Sequence, residues 1–416
     1  MVELSNVEAL KNADESILDK VNLDDVFSIF ENSFKNQMKK NEHVNVLITG
    51  KTGVGKSTLI NAMFGEEVAV TGTGTPVTQQ TQLFESDTTA VRIYDTKGFE
   101  IAGADTTAAE IKSLIVQKNS GDNTDDMIGV IWYAVAANAG RIEPTEINFI
   151  KELAEINVGV PVIVVLTKSD NRSEFVPLHD AIAAENMNVA DIINVLATDA
   201  PLIHPVTGEQ IGNTAAYGLE DLARKTYEVL PDLQKLAFAN QQKADNELKA
   251  AQAAKNRARA HAYIATAVTA AFAEGFVPIP LADSAMMIPT QMAMIAGITA
   301  EYNIELSKNV IAKLVTTLVS TDRLALVGRT VASNLLKLIP GTGSIAGGMI
   351  SGGTGAIITA ALGLGYVALL ELSRTKEWSE FGFEEFLGQI NISEVMDSIN
   401  SDEVKNLVKN VINSKK

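Results

Sequence analysis

The chain has 416 residues, 46% of them hydrophobic, with 34 Lys and Arg against 51 Asp and Glu and no cysteine. That composition excludes a disordered or fibrous chain, a disulfide scaffold, an iron–sulfur site and a cysteine-based zinc site. The net charge of −17 is uneven: residues 1–230 hold 17 basic and 34 acidic side chains, whereas residues 231–416 hold 17 of each. So acidic a first half repels a phosphate backbone, and nucleic acid is not expected as a partner. The opening MVELSNVEALKNADESILDKV has neither a basic n-region nor an apolar h-region. A cytoplasmic location is therefore expected.

Apolar residues at helical spacing (Val7, Leu10, Ile17, Val21, then Val26, Ile29, Phe30, Phe34) predict one or two amphipathic helices over 1–43. From Val44 the pattern changes. The β-rich runs VNVLITG, VRIYDT, MIGVIWYAV and VPVIVVLT alternate with helical stretches such as TEINFIKELAEI. This alternation predicts an α/β domain over 44–230, with a mostly parallel sheet and helices on both faces. Beyond Leu230 the strand signal fades. A connecting charged helix is expected over 231–260, an apolar Gly-rich all-α domain over 261–372, and a helical tail over 373–416. The N-terminal helices are expected to pack on that all-α domain.

The strongest motif is GKTGVGKS, which runs from Gly50 through Lys51, Thr52, Gly53, Val54, Gly55 and Lys56 to Ser57 and continues into a helix at Thr58. Strand, Gly-rich loop and helix start in that order form a phosphate cradle. The glycines allow backbone N–H groups to approach phosphate, Lys56 reaches the terminal phosphates, and the Ser57 hydroxyl suits Mg²⁺. Asp95, ending VRIYD, is placed to hold Mg²⁺ through water, and Gly98 to offer its N–H to the γ-phosphate. Alone, that D-x-x-G is more often a turn. Thr167-Lys168-Ser169-Asp170 follows an apolar strand. The Asp170 carboxylate can accept from guanine N1–H and the exocyclic amine, donors that adenine lacks. The Lys168 stem can lie along the base. Ala197, after a short strand, can offer its N–H to guanine O6. Each of these three is weak alone; their order and spacing carry the assignment.

With these residues, 44–230 resembles a guanine-nucleotide-binding domain of the translation-factor-related class, the branch of Era, septins and the immunity-related GTPases. GKTGVGKS, TPVTQ, DTKG and TKSD supply its successive motifs. The resemblance implies GTP and GDP as ligands, Mg²⁺ as cofactor, and a Thr in TPVTQ that closes over Mg²⁺ and the γ-phosphate. Thr78 fits by offset from Ser57, and Thr75 and Thr81 stay open. Lys56, Thr78 and Gly98 are the expected catalytic groups, and Ser57, Thr78 and Asp95 the metal ligands. Where Ras-like GTPases orient water with a Gln, this chain has Phe99, which implies slow intrinsic turnover unless Gln79, Gln80 or a second copy assists. The P-loop Asn that binds potassium in some relatives is replaced here by Gly53.

GFVPIPLADSAMMIPTQMAMIAGITAEYNI, within about 261–372, resembles an uncharacterised helical domain that follows such GTPases in many bacterial proteins. From Leu338 to Leu370 no residue is charged, over 33 positions. That length permits a membrane span. The upstream cluster Lys249, Lys255, Arg257 and Arg259 suits an anionic membrane surface. The same run also suits two buried helices joined by a Gly-rich turn in a soluble bundle, with Asp283 capping a helix after Pro280. A membrane-spanning, a membrane-associated and a soluble bundle all stay open. The expected function is a GTP-hydrolysing switch, dynamin-like or immunity-related-GTPase-like. Its nucleotide state would control the helical domain for self-assembly, as a homodimer or oligomer through the GTPase domain, or for association with the inner face of a membrane. The alternatives are a nucleotide-gated binding module without turnover of its own and an Era-like ribosome-associated GTPase.

Overall fold

A computed structural model describes residues 23–38, 40, 42–65, 75–76, 81–85, 89–96, 104–120, 123–156, 159–204, 206–274, 284–304, 306, 310–311, 352–374, 403 and 406–407. The chain divides into two compact units, 40–252 and 1–39 with 253–416. Helix α1 (Leu23–Met38) precedes the sheet and belongs to the second unit.

The first unit is built on strands β1 (Val44–Thr49), β2 (Thr75–Pro76), β3 (Thr81–Phe84), β4 (Val91–Thr96), β5 (Val130–Ala136), β6 (Val162–Thr167) and β7 (Asp191–Asn194), ordered β2-β3-β4-β1-β5-β6-β7. The five from β4 to β7 are parallel, and β3 and β2 join antiparallel. All six residues of β1 and of β6 are buried, as continuous apolar strands require when helices cover both faces. The motif sequence therefore reads correctly as α/β. Thr75 and Pro76, the first residues of TPVTQ, form the edge of the ladder, with Thr75 opposite Leu83.

On one face, α3 (Ala104–Asn119), α4 (Pro144–Ala154) and α5 (Arg172–Ala184) bury Ile111, Phe149, Ile150 and Ile182 against Leu47, Ile131 and Val164. On the other, Phe64 of α2 (Lys56–Phe64) stacks on Trp132 at 5.9 Å. The Trp132 indole N–H donates to Thr226 of α6 (Leu219–Val229) at 3.1 Å. The unit runs past Leu230, where the sequence reading ended it. Gln234 of α7 (Asp232–Gln241) accepts from Asn45 N at 3.0 Å and donates to Met127 O at 2.7 Å. Lys243 N donates to Met63 O at 2.7 Å, and α8 (Asn246–Ala251) follows. The single connecting helix expected over 231–260 is thus α7, α8 and the start of α9 (Ala253–Glu274). Strands β8 (Ala200–Ile203) and β9 (Gln210–Thr214) form a separate hairpin between β7 and α6.

In the second unit, α10 (Ser284–Tyr302) packs against α1 and α9, and α9 packs on α11 (Gly352–Leu372). The N-terminal helix thus joins the helical domain, as expected, burying Val26, Phe30, Phe34 and Met38 at i, i+4 spacing. Gly297 and Gly363 mark close approaches: a Cβ would sit 2.5 Å from the Tyr263 ring at the first, and 2.7 Å from Ile264 and 3.0 Å from Met294 at the second. Buried polar pairs cross the helices, Tyr366 to Thr299 at 2.8 Å and Gln291 to Thr359 at 3.3 Å. Glu301 is buried, accepts from Tyr263 and Gln37, and lies 3.6 Å from Arg259. Arg257 pairs with Glu371. Among the described residues no helix is long and apolar enough to cross a membrane. The segment 338–351, Asp283 and most of the tail lie outside the described residues.

Candidate functional site

The loop from Gly50 to Gly55 leaves the end of β1, the central strand, and enters α2 at Lys56. Gly50 has φ +136, and a Cβ on it would meet Ala134 O at 2.2 Å, so the turn against β5 admits only glycine. Gly53 and Gly55 also have positive φ, at +77 and +102. Lys56 Nζ folds back over the loop and donates to Gly50 O at 3.2 Å and Lys51 O at 3.3 Å. Thr52, Gly53, Ser57 and Thr58 are exposed around this cradle, and Val54 is buried beneath it.

Asp95 stands near the end of β4, next to the cradle. Thr96 Oγ1 donates to Thr49 Oγ1 at 2.9 Å and ties β4 to β1. Burial raises the Asp95 carboxyl pKa against the opposing pull of Lys56, and burial lowers that of Lys56 against the pull of Asp95. Asp95 Oδ1 is buried with no hydrogen-bond partner. A desolvated carboxylate with an orphaned oxygen beside a phosphate cradle fits a cation. Among the described residues no three His, Asp or Glu cluster into a metal cage.

The second loop is fastened to the first. Thr167 Oγ1 lies within hydrogen-bonding distance of Val54 O and Val135 O, and Lys168 Nζ donates to Gly53 O at 2.6 Å. Lys168 takes φ +54, a conformation that costs a non-glycine residue about 1–2 kcal/mol and that turns its side chain over the P-loop. Ser169 N donates to Val195 O, and Tyr217 OH donates to Ser169 O at 2.6 Å, which joins this loop to the one bearing Ala197. Asp170 is exposed and Ala197 half-buried. The Gly50–Gly55 loop, Thr167–Asp170 and the Ala197 loop thus stand together at the carboxyl ends of β1, β6 and β7, where α/β folds take ligands.

Thr78, Gln79, Gln80, Gly98 and Phe99 lie outside the described residues, as does the side chain of Thr75. Thr81 sits buried in the ladder opposite Thr96. One partner escaped the sequence reading. Glu146, in the first turn of α4, is 4% exposed at its side chain and pairs with Lys51 at 2.6 Å. It also accepts from Glu143 N at 3.3 Å. The E-P-T-E run with Pro at the first helical position was the available signal for a capping carboxylate.

Residues 45–168 match the family described as 50S ribosome-binding GTPase, and residues 239–391 match a domain of unknown function, DUF697. The chain is 27% identical over 152 residues to cell division control protein 10 of Saccharomyces cerevisiae, covering 30% of this chain and 47% of that protein. It is 24% identical over 189 residues to GTPase Era of Corynebacterium glutamicum, covering 45% and 55%. It is 28% identical over 130 residues to GTPase Der of Bartonella tribocorum, covering 31% and 26%. The chain thus spans about half the length of the first two relatives and about a quarter of the third. Among solved structures, Toc33 from Arabidopsis thaliana in complex with Mg²⁺ and GMPPNP matches with TM-score 0.31 and 16% identity, over 52% of this chain and 93% of that one. Elongation factor SelB from Methanococcus maripaludis matches with TM-score 0.25 and 19% identity, over 38% and 30%.

Proposed function

We propose that this chain, a P-loop GTPase domain of the Era-, Der- and septin-like class joined to a helical DUF697 domain, is a GTP-hydrolysing switch that controls its helical domain. Gly50 to Thr58 cradle the phosphates, with Lys56 on the terminal pair. Thr167, Lys168, Asp170 and Ala197 hold guanine, and Asp170 rejects adenine by losing its donors. Ser57 and Asp95 would hold Mg²⁺, which neutralises phosphate charge when bound; in the triphosphate state Thr78 would be a further ligand and Gly98 would offer its N–H to the γ-phosphate. The observation that carries the reading is the fastening of the base loop to the phosphate loop through Thr167 and Lys168. One nucleotide bridging both loops would use both sets of residues.

The test is calorimetric titration with GDP and ADP together with GTP turnover. Lys56→Ala should abolish thermal protection by GTP, and Asp170→Ala should remove preference for guanine. Equal turnover of ATP and GTP by the unmodified chain would sink the guanine assignment. Phe99 favours slow intrinsic turnover and keeps a second reading alive, a nucleotide-gated assembly module. A specific activity that rises with protein concentration supports the switch, and a flat near-zero rate supports the module. For the output, we favour self-assembly over membrane binding. Arg257 and Arg259, two of the four cations near the apolar helices, are engaged by Glu371 and Glu301. Flotation with anionic liposomes in the GDP and GTP-analogue states would reverse that preference.

A further inference from the structure

The β8–β9 hairpin has no place in the nucleotide site, and its surface is unlike the rest of its unit. Among the described residues seven large hydrophobic side chains are exposed, and five lie between 200 and 217. Leu202 is 50% exposed, Ile203 48%, Val206 86% and Ile211 58%, with Tyr217 at the base at 37%. The two strands pair only with each other. A lone two-stranded hairpin is marginal in water, and one that displays its apolar residues calls for a covering surface.

The chemistry of the segment selects its occupant. From Ala200 to Tyr217 the one charged side chain is Glu209, with no Lys or Arg. An anionic membrane would be met by cations, which this segment lacks. A basic partner would be drawn to the carboxylates elsewhere on the unit, whose residues 40–252 hold 29 acidic and 16 basic side chains. A second copy of this chain has the opposite problem, because two such acidic bodies repel. The uncharged hairpin is where they can meet without setting carboxylates against carboxylates. A twofold contact uses one apolar patch on both copies and needs no other complement.

The hairpin is also bonded to the base-recognition loops. Leu196 and Tyr217 exchange backbone hydrogen bonds at 3.0 Å, on either side of the Ala197 loop and the strands. Asp199 accepts from Ala216 N at 2.8 Å, and Tyr217 OH reaches Ser169 O. Gly218, φ +80, would put a Cβ 2.0 Å from Asn194 O, so the return into α6 has no slack. A load on the hairpin therefore reaches Ser169 and Ala197 through bonds.

We propose that the β8–β9 hairpin is a self-association surface, joining two copies through Leu202, Ile203, Val206 and Ile211, and that its bonds to Ser169 and Leu196 link association to occupancy of the guanine site. The linkage rests on the nucleotide reading above; the surface does not. By reciprocity, any factor by which nucleotide tightens association is the factor by which association tightens nucleotide.

The experiment is sedimentation velocity of the full chain over a range of concentrations, without nucleotide, with GDP and with a slowly hydrolysed GTP analogue. The unmodified chain should dimerise, and to different extents in the three states. Ile211→Glu and Val206→Glu each place a carboxylate on the patch and should weaken association on the order of 100-fold. Both positions face solvent in one copy, so melting temperature and GDP affinity measured below the association range should match the unmodified chain. A chain that stays monomeric throughout, or variants that associate as well as the parent, overturns the surface. Equal association in all three states overturns the linkage. Hairpin-dependent association in a chain that binds no guanine nucleotide supports the surface and refutes the nucleotide reading instead.

Discussion

Glu146 and Lys51 offer the sharpest test of how the phosphate loop is held. Their 2.6 Å pair joins a side chain 4% exposed to one 33% exposed. Such a half-buried pair has a gross attraction of several kcal/mol, most of it offset by desolvation, so removing either partner should cost about 1–3 kcal/mol of net coupling. Lys51 is also the residue whose carbonyl receives Lys56 Nζ, so its position sets that of the lysine proposed to bind phosphate. Glu146→Gln retains an oxygen for Glu143 N and keeps the helix start while deleting the charge. The expected result is a GDP affinity about tenfold lower in Glu146→Gln and in Lys51→Met, close to 1.4 kcal/mol each. The double substitution should be hardly worse than either alone. The assay is a double-mutant cycle on GDP dissociation constants, with melting temperatures of the nucleotide-free proteins in parallel. If the two losses add to within about 0.5 kcal/mol, the pair does not position the loop. A fall in melting temperature with unchanged affinity would refute the positioning role equally well.

Gly50→Ala should abolish nucleotide binding, because φ +136 and the 2.2 Å approach to Ala134 O leave no room for a methyl group; thermal-shift titration with GTP checks it. Gln234→Leu should destabilise the first unit by about 1–3 kcal/mol in urea unfolding, since it strands the buried Asn45 N–H of the central strand, while Met127 O keeps its bond from Asn45 Nδ2. No loss there would mean that 231–252 does not fold with the sheet. Burial raises the Glu301 carboxyl pKa, with Arg259 pulling it back, so the folded helical unit holds that proton more tightly than the unfolded chain does. Its contribution is complete below the ordinary carboxylate range and is lost as pH rises through the raised value. The melting-temperature difference between the parent and Glu301→Gln should therefore change in the parent's disfavour as pH rises.

The two loops proposed to hold phosphate and base could be placed from the sequence because the determinants of their backbone are local. Gly50, Gly55 and Lys56 sit within eight residues, and their flanking strand and helix are set by periodicity. What escaped has a common cause: the determinant lies far along the chain. Glu146 meets Lys51 across 95 positions and Gln234 meets Asn45 across 189, and nothing near Gln234 distinguishes it from any polar residue on a charged helix. The hairpin was missed for another reason. Strand alternation is the imprint of one buried face, and β8–β9, with residues exposed along nearly its whole length, has none.

The charge asymmetry looks different once the units are known. The N-terminal helix packs with the helical domain, so residues 40–252 carry a net −13 of the −17 and the remaining −4 belongs to the unit of 1–39 and 253–416. The basic cluster that suggested a membrane surface lies partly inside that unit's own bookkeeping, since Arg257 and Arg259 answer Glu371 and Glu301 rather than an external anion. Glu301 also gathers Gln37 of α1 and Tyr263 of α9 around one buried carboxylate on α10. A partner that separated these helices would expose that carboxylate and strand Arg259 in one step. Rearrangement of the helical unit should therefore be cooperative, an all-or-none response of the kind a nucleotide switch can bias, rather than a graded loosening.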